Sequence, residues 1–147
     1  MSIRKKYMSM MKVFRYQYGK GAKNTDELDE LGKHYLGKKY MGTFAYDEYP
    51  LNAPNKTFAI LNTDNKAGVH WVGLYKDGNK LYVYDSFARN VNNLLKKFTD
   101  SAEKLGYKVI SSNVEGDQGN DQDDCGLRSL SWAILTNRFG IQKGNLI

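Results

Sequence analysis

A single domain of mixed helices and strands is the fold this sequence predicts, and three observations predict it. Apolar, strand-like runs lie close together at 57–62, 69–75 and 81–85. The second and third of these flank Asp77-Gly78, a strong hairpin turn signal. Apolar residues at helical spacing occupy the flanks: Leu28, Leu31 and Tyr35 before the strands, and Val91, Leu94, Leu95, Phe98 and Ala102 after them. A chain of 147 residues is long enough for one domain with a real core.

The elements follow in order. Asn24 or Thr25 can cap a first helix, with Asp26 and Glu27 at its positive end and Gly37 at its close. Residues 40–54 are rich in Gly, Pro, Asp and Asn and read as a loop with a short extended piece. Residues 57–62 form a buried strand, 65–68 turn the chain, and 69–75 and 81–85 make the hairpin. A helix over 91–105 leads to a last strand at 107–110. A polar loop over 114–124 precedes a final helix with Leu127, Leu130, Ser131, Ile134 and Leu135 inward. There is no internal repeat and no second domain.

The net charge of +6 is unevenly placed. Residues 1–23 hold seven basic side chains and no acid, while the rest holds 15 basic against 16 acidic. The boundary at Gly19-Lys20-Gly21 predicts a basic arm over 1–23, flexible or a pro-segment, and a domain over 24–147. Arg4, Lys5, Lys6, Lys12 and Arg15, interleaved with Tyr7, Phe14, Tyr16 and Tyr18, suit a polyanion such as double-stranded DNA. The plainer alternatives are a solubilising tail or a segment packed on the domain.

No apolar stretch approaches the roughly 20 residues of a membrane span, and no apolar core follows the basic start as a signal peptide requires. One cysteine cannot form an internal disulfide, so secretion gains no support. With two histidines, it also makes a four-ligand zinc site an unlikely expectation, and no metal is assigned.

The chemistry-bearing residues are His70, Asp85, Gln118 and Cys125. A two-residue turn at Asp77-Gly78 pairs Leu74 with Leu81, Val72 with Val83 and, by continuation, His70 with Asp85. Opposed side chains share a face at about 4.5–5.5 Å between Cβ atoms. Asp85 can then fix the imidazole tautomer. A three-residue loop would separate the two residues, whereas a four-residue loop would leave them diagonal neighbours. Cys125 opens the last helix, with Asp123 or Asp124 as N-cap, so the helix end is expected to lower its thiol pKa below about 8.5. Asp121, Asp123 and Asp124 oppose that ionisation, so a nearby imidazolium is needed. Gln118 or Gln122 can face an oxyanion beside the Cys125 N–H. Gly126 leaves room for a substrate. Trp71 is either a substrate contact or a core residue, and a lone cysteine such as Cys125 is by itself more often inert core. His34 has no assigned role beyond a solvated or packing one.

The ordered set His70-Trp71, Asp85, Gln118 and Cys125-Gly126 resembles the adenovirus-type cysteine proteases, the adenain family. Their clan includes proteases acting on SUMO and other ubiquitin-like proteins. The seven-residue step from Gln118 to Cys125 is similar to the adenoviral spacing rather than the shorter one common in SUMO proteases. Tyr40-Met41-Gly42-Thr43-Phe44, Ala59-Ile60-Leu61-Asn62-Thr63 and Gly68-Val69-His70-Trp71 also resemble adenain segments, and the likeness spans residues 26–139. It implies an α+β papain-like fold with rearranged catalytic order: His and Asp on a central sheet, Cys at the start of a buried helix.

The resemblance further implies a monomeric cysteine endopeptidase. It would cut viral capsid or core precursors near glycine during virion maturation, within the virion and the infected cell. Its chemistry needs no cofactor, and DNA or a non-covalent viral peptide would activate it. Two alternatives are a protease that deconjugates a ubiquitin-like protein and a DNA-binding module with a silent protease fold. Three departures stand out. Asp85 stands where adenain carries Glu, only 22 residues follow Cys125, and no second cysteine could bond an activating peptide. Tyr18-Gly19-Lys20-Gly21 resembles the glycine-centred sites of the family, so self-cleavage near Lys20-Gly21 is expected.

Overall fold

Ile3, Tyr7, Met11 and Phe14 recur every three or four residues and are the buried stripe of the first helix, α1 (Ile3–Tyr18). The Ser2 side chain accepts the Lys5 N–H at its start, and Gly19 ends it at φ 87°. In α2 (Thr25–Leu36), Asn24 and Glu27 exchange side-chain and backbone hydrogen bonds in a capping box. Gly37, at φ 59°, closes it as the sequence predicts. The computed structural model describes residues 1–63, 70–87, 95–111 and 124–147. The predicted turn at 65–68, residues 91–94 of the predicted helix and both glutamines, Gln118 and Gln122, lie outside them.

Five strands follow: β1 (Tyr40–Ala45), β2 (Thr57–Asn62), β3 (Trp71–Asp77), β4 (Lys80–Tyr84) and β5 (Lys108–Ser111). Helix α3 (Lys96–Lys104) precedes β5, and α4 (Cys125–Phe139) and the short α5 (Ile141–Gly144) end the chain order. The architecture is α+β. One mixed sheet has the order β1-β2-β3-β4-β5, antiparallel through its centre, with β1 and β5 parallel to their neighbours.

Alternation along the strands builds two cores. Phe58, Ile60, Trp71 and Tyr84 face α1, α2 and α4. Ala59, Leu61, Val72, Leu74, Leu81 and Val83 face the other way, onto Tyr49, Ala53 and the Phe98 and Ala102 stripe of α3. Helix α4 lies between the sheet and the outer helices, packing on β3, α1 and α2. It is therefore buried nearly all round from Cys125 to Ala133, not only on the inner stripe its sequence marks. Gly73 makes this approach close: a Cβ there would stand 2.6 Å from the Trp132 ring, which stacks on Tyr84 at 5.5 Å.

The short extended piece expected within 40–54 is β1, which adds to the β2 edge through an irregularity at Gly42. One expectation is corrected. Residues 3–18 are not set off as an arm. Tyr7 and Met11 are fully buried, the Tyr7 and Tyr84 hydroxyls meet at 3.1 Å, and Ser131 Oγ donates to Met11 Sδ at 3.2 Å. Of the charges that suggested an arm, five lie on this helix, facing outward or reaching inward to partners, and Lys20 and Lys23 follow its end. No helix among the described residues is long and apolar enough to cross a membrane.

Neighbouring positions on α1 separate a packed helix from an appended arm. Met11→Ala should lower unfolding free energy by about 2–5 kcal/mol, while Lys12→Ala at the exposed position beside it should stay within about 0.5 kcal/mol. Urea denaturation followed by circular dichroism checks both, and equal small effects would contradict the packing of α1.

Candidate active site

The hairpin brings His70 and Asp85 together by a register other than the expected one. Asp77 pairs with Lys80, so the two-residue turn is Gly78-Asn79, and Leu74 pairs with Val83 rather than Leu81. Gly78 takes φ 62°, the left-handed conformation that a primed turn demands of its first central residue. The ladder has slipped by two residues against the prediction, and an even slip preserves the face. Counting on from Gly73↔Tyr84 sets His70 beside Phe87 and makes Asp85 its diagonal neighbour.

The rings of His70 and Phe87 accordingly lie 5.2 Å apart. The diagonal is short enough: His70 Nε2 and Asp85 Oδ1 are 2.8 Å apart. A carboxylate only accepts, so Nε2 carries the proton and Nδ1 is the nitrogen left to act as base. Asp85 is fully buried, and the Phe87 N–H also donates to Oδ1, at 3.1 Å.

Helix α4 brings the thiol to the same place. The Trp71 N–H donates to Cys125 Sγ at 3.4 Å, and Ser129 Oγ, one turn on, donates to the Trp71 carbonyl at 3.4 Å. The helix thus holds both peptide groups of the residue that follows His70. On the other side, the His70 carbonyl accepts the Thr63 N–H at 3.0 Å. The indole of Trp71 donates to the Lys23 carbonyl at 3.0 Å and is 2% exposed. Its ring is therefore core, and of the two alternatives for Trp71 the substrate contact is set aside; only its backbone touches the site. Gly126 serves packing as well, since a Cβ there would meet Leu28 at 3.0 Å and Trp71 at 3.4 Å.

Electrostatics around the thiol depart from the expectation of a lowered pKa. Burial pushes the Cys125 thiol up. The N–H groups of Trp71, Gly126 and Cys125 pull it down, Asp124 adds to the rise, and the net direction is upward. The helix start alone does not make this thiol a thiolate. Asp124 occupies the N-cap position but does not cap. Its carboxylate instead takes Arg15 Nε on Oδ2 and Arg128 Nε on Oδ1, each at 2.7 Å. Burial alone would raise its pKa, but these two guanidinium groups outweigh it and hold the carboxyl below its usual range.

Of the cations assigned to a polyanion, Arg15 is thus engaged inside the molecule, and Arg4 donates to the Ile147 carbonyl at 2.6 Å. Lys6 lies over the Phe139 ring at 5.0 Å, while Lys5 and Lys12 are exposed. The Arg15–Asp124–Arg128 cluster was not anticipated. Its one sequence signal was the i, i+4 spacing of Asp124 and Arg128. His34 is exposed, edge-on to Tyr35 at 4.7 Å. Among the described residues no three His, Cys, Asp or Glu side chains gather as metal ligands would.

A thiol raised by burial is protonated at neutral pH unless a base takes its proton. His70→Ala should therefore move alkylation of Cys125 to higher pH, above the ordinary thiol range near ~8.5. The rate at pH 7 should fall by about tenfold or more. Iodoacetamide labelling against pH, read by intact mass, checks this on the chain's one cysteine. Coincident profiles for parent and variant would show that the imidazole does not serve the thiol.

No protein-family model and no curated protein sequence matches this chain, so its function has to be read from the side chains themselves.

Proposed function

We propose that this protein is a cysteine endopeptidase of the adenain type. One observation carries the reading: the thiol at the head of α4 meets the backbone of Trp71, directly beside the His70 that Asp85 orients at 2.8 Å. The order His, Asp, Cys along the chain supports the adenain resemblance over a papain-like order.

In the proposed reaction His70 Nδ1 takes the thiol proton and Cys125 Sγ attacks the scissile carbonyl carbon. Asp85 holds the ring and stabilises the imidazolium as it forms. The tetrahedral oxyanion meets the Cys125 N–H at the helix start, with Gln118 proposed as the second donor. His70 returns the proton to the departing amine, leaving a thioester. Water, deprotonated by His70, then hydrolyses the thioester and frees the thiol. The proposed substrates are viral capsid or core precursors cut beside glycine, in the virion and infected cell. A Cys125 thiol pushed up by burial is consistent with a nucleophile that ionises only when paired.

A glycine-terminated peptide vinyl sulfone should add once to the parent protein and not at all to Cys125→Ala. The same variant should hydrolyse fluorogenic glycine peptides about 10³-fold or more slowly. Equal cleavage by parent and variant would overturn the assignment. Turnover of a ubiquitin-like probe, with the peptides untouched, would move the substrate to a conjugated modifier.

A second role is proposed for the outward face of α1 and the residue just past its Gly19 end, where Lys5, Lys12, the 92% exposed Tyr16 and then Lys20 have no acidic residue among positions 1–23. Such a face suits the double-stranded DNA proposed as an activator. Changing Lys5, Lys12 and Lys20 together to Gln should weaken DNA binding and flatten its salt dependence by about two to three in log–log slope. An unchanged slope in a fluorescence anisotropy titration would refute this role.

A further inference from the structure

We infer that Arg15 is a positioning residue for Cys125, acting from α1 through Asp124, and that it screens the thiol from the Asp124 charge. The inference rests on the proposed nucleophilic role of Cys125, although its test does not require peptidase activity. Asp124 immediately precedes the nucleophile, is 3% exposed, and meets one guanidinium on each oxygen at 2.7 Å. Arg128 comes from the same helix, one turn on, so it moves with Cys125. Arg15 comes from α1 and ties the helix start to another element. The tie spans 109 residues of sequence and ends one residue from the thiol.

Orientation and charge both follow from this geometry. The helix start is held between two fixed points, Trp71 on the sheet side and Arg15 on the α1 side. Packing fixes the body of α4 between the sheet, α1 and α2, and the Arg15 bond adds a directed contact at the residue beside the thiol. On the charge side, Arg15 and Arg128 are the groups facing Asp124 among the described residues. On the far side of the thiol stands the Trp71 N–H, with His70 beside it and Asp85 behind the imidazole. A carboxylate next to a sulfur disfavours its thiolate. Arg15 cancels part of that effect, so its loss raises the thiol pKa, whereas loss of the Asp124 charge lowers it.

The test is the pH profile of Cys125 alkylation by iodoacetamide in the full chain, with thermal melts alongside. R15Q should shift the midpoint upward and slow labelling at pH 7 by about three- to tenfold. D124N should shift the midpoint the other way, and R15K, which keeps the charge, should stay near the parent. A purely structural Arg15 would change the melt without these opposite shifts. R15Q at the parental midpoint, or D124N shifted upward with it, overturns the inference. Should R15Q fail to fold, the D124N and R15K profiles decide it: a lowered midpoint in D124N with R15K near parental supports it, and any other pair of midpoints overturns it. Failure of the endopeptidase reading would appear elsewhere, as undiminished peptide cleavage by Cys125→Ala.

Discussion

The grip of α4 on the Trp71 peptide is the constraint from which the rest of the site follows. Cys125 accepts from the N–H and Ser129 donates to the carbonyl, so about one turn of helix spans one residue of strand. Neither contact is strong, and a sulfur acceptor at 3.4 Å is weaker than an oxygen. Their effect is geometric. They can form only because Gly73 admits the Trp132 ring against β3 and Gly126 admits Leu28 against the helix start. Two missing Cβ atoms bring a helix close enough to the sheet for its first side chain to reach a strand residue.

The same closeness sets the electrostatic problem. A thiol at a helix start gains from the free N–H groups there. Burial between α2 and the sheet removes water that would otherwise stabilise the anion, and burial wins. Helix position and thiolate character are therefore separate properties here. A partner must supply what the backbone does not, and the proposed one is the imidazole of His70, which Asp85 orients at 2.8 Å. Phe87 both stacks near the ring and donates to the carboxylate, so one residue supports the pair from two directions.

How much was legible in the sequence depended on which force set each feature. The β2 strand, the α2 caps and the His70–Asp85 partnership follow from local rules of periodicity, capping and side-chain alternation. The partnership survived a misplaced turn because a two-residue slip leaves parity intact. Asp77-Gly78 was the stronger turn signal, yet Gly78 sits at the first central position, where a primed turn requires it. In α1, Ile3, Tyr7, Met11 and Phe14 had helical spacing in plain view. Seven cations and no acid over 1–23 overlie that spacing, so charge is the stronger local pattern there. The roles of Gly126 and Trp71 depend on what packs against them, and no local pattern encodes Leu28 or the Lys23 carbonyl as those neighbours. The Arg15–Asp124 pair is non-local in the same sense.

That pair poses a question that stability does not answer. Burying a carboxylate between two guanidinium groups carries a desolvation cost that the attraction often only offsets, and apolar residues of similar volume commonly serve stability as well or better. Met11 and Phe14 already anchor α1 beside it by apolar burial. An apolar replacement would not supply direction. One guanidinium Nε donating to each carboxylate oxygen defines where the helix start sits more narrowly than a greasy contact can, because hydrogen bonds weaken steeply off axis. It would also leave nothing beside the sulfur whose charge could be balanced. The cluster stands at the residue before Cys125, where, on the proposed reading, both angle and charge matter to a thiol that burial has already made reluctant to ionise.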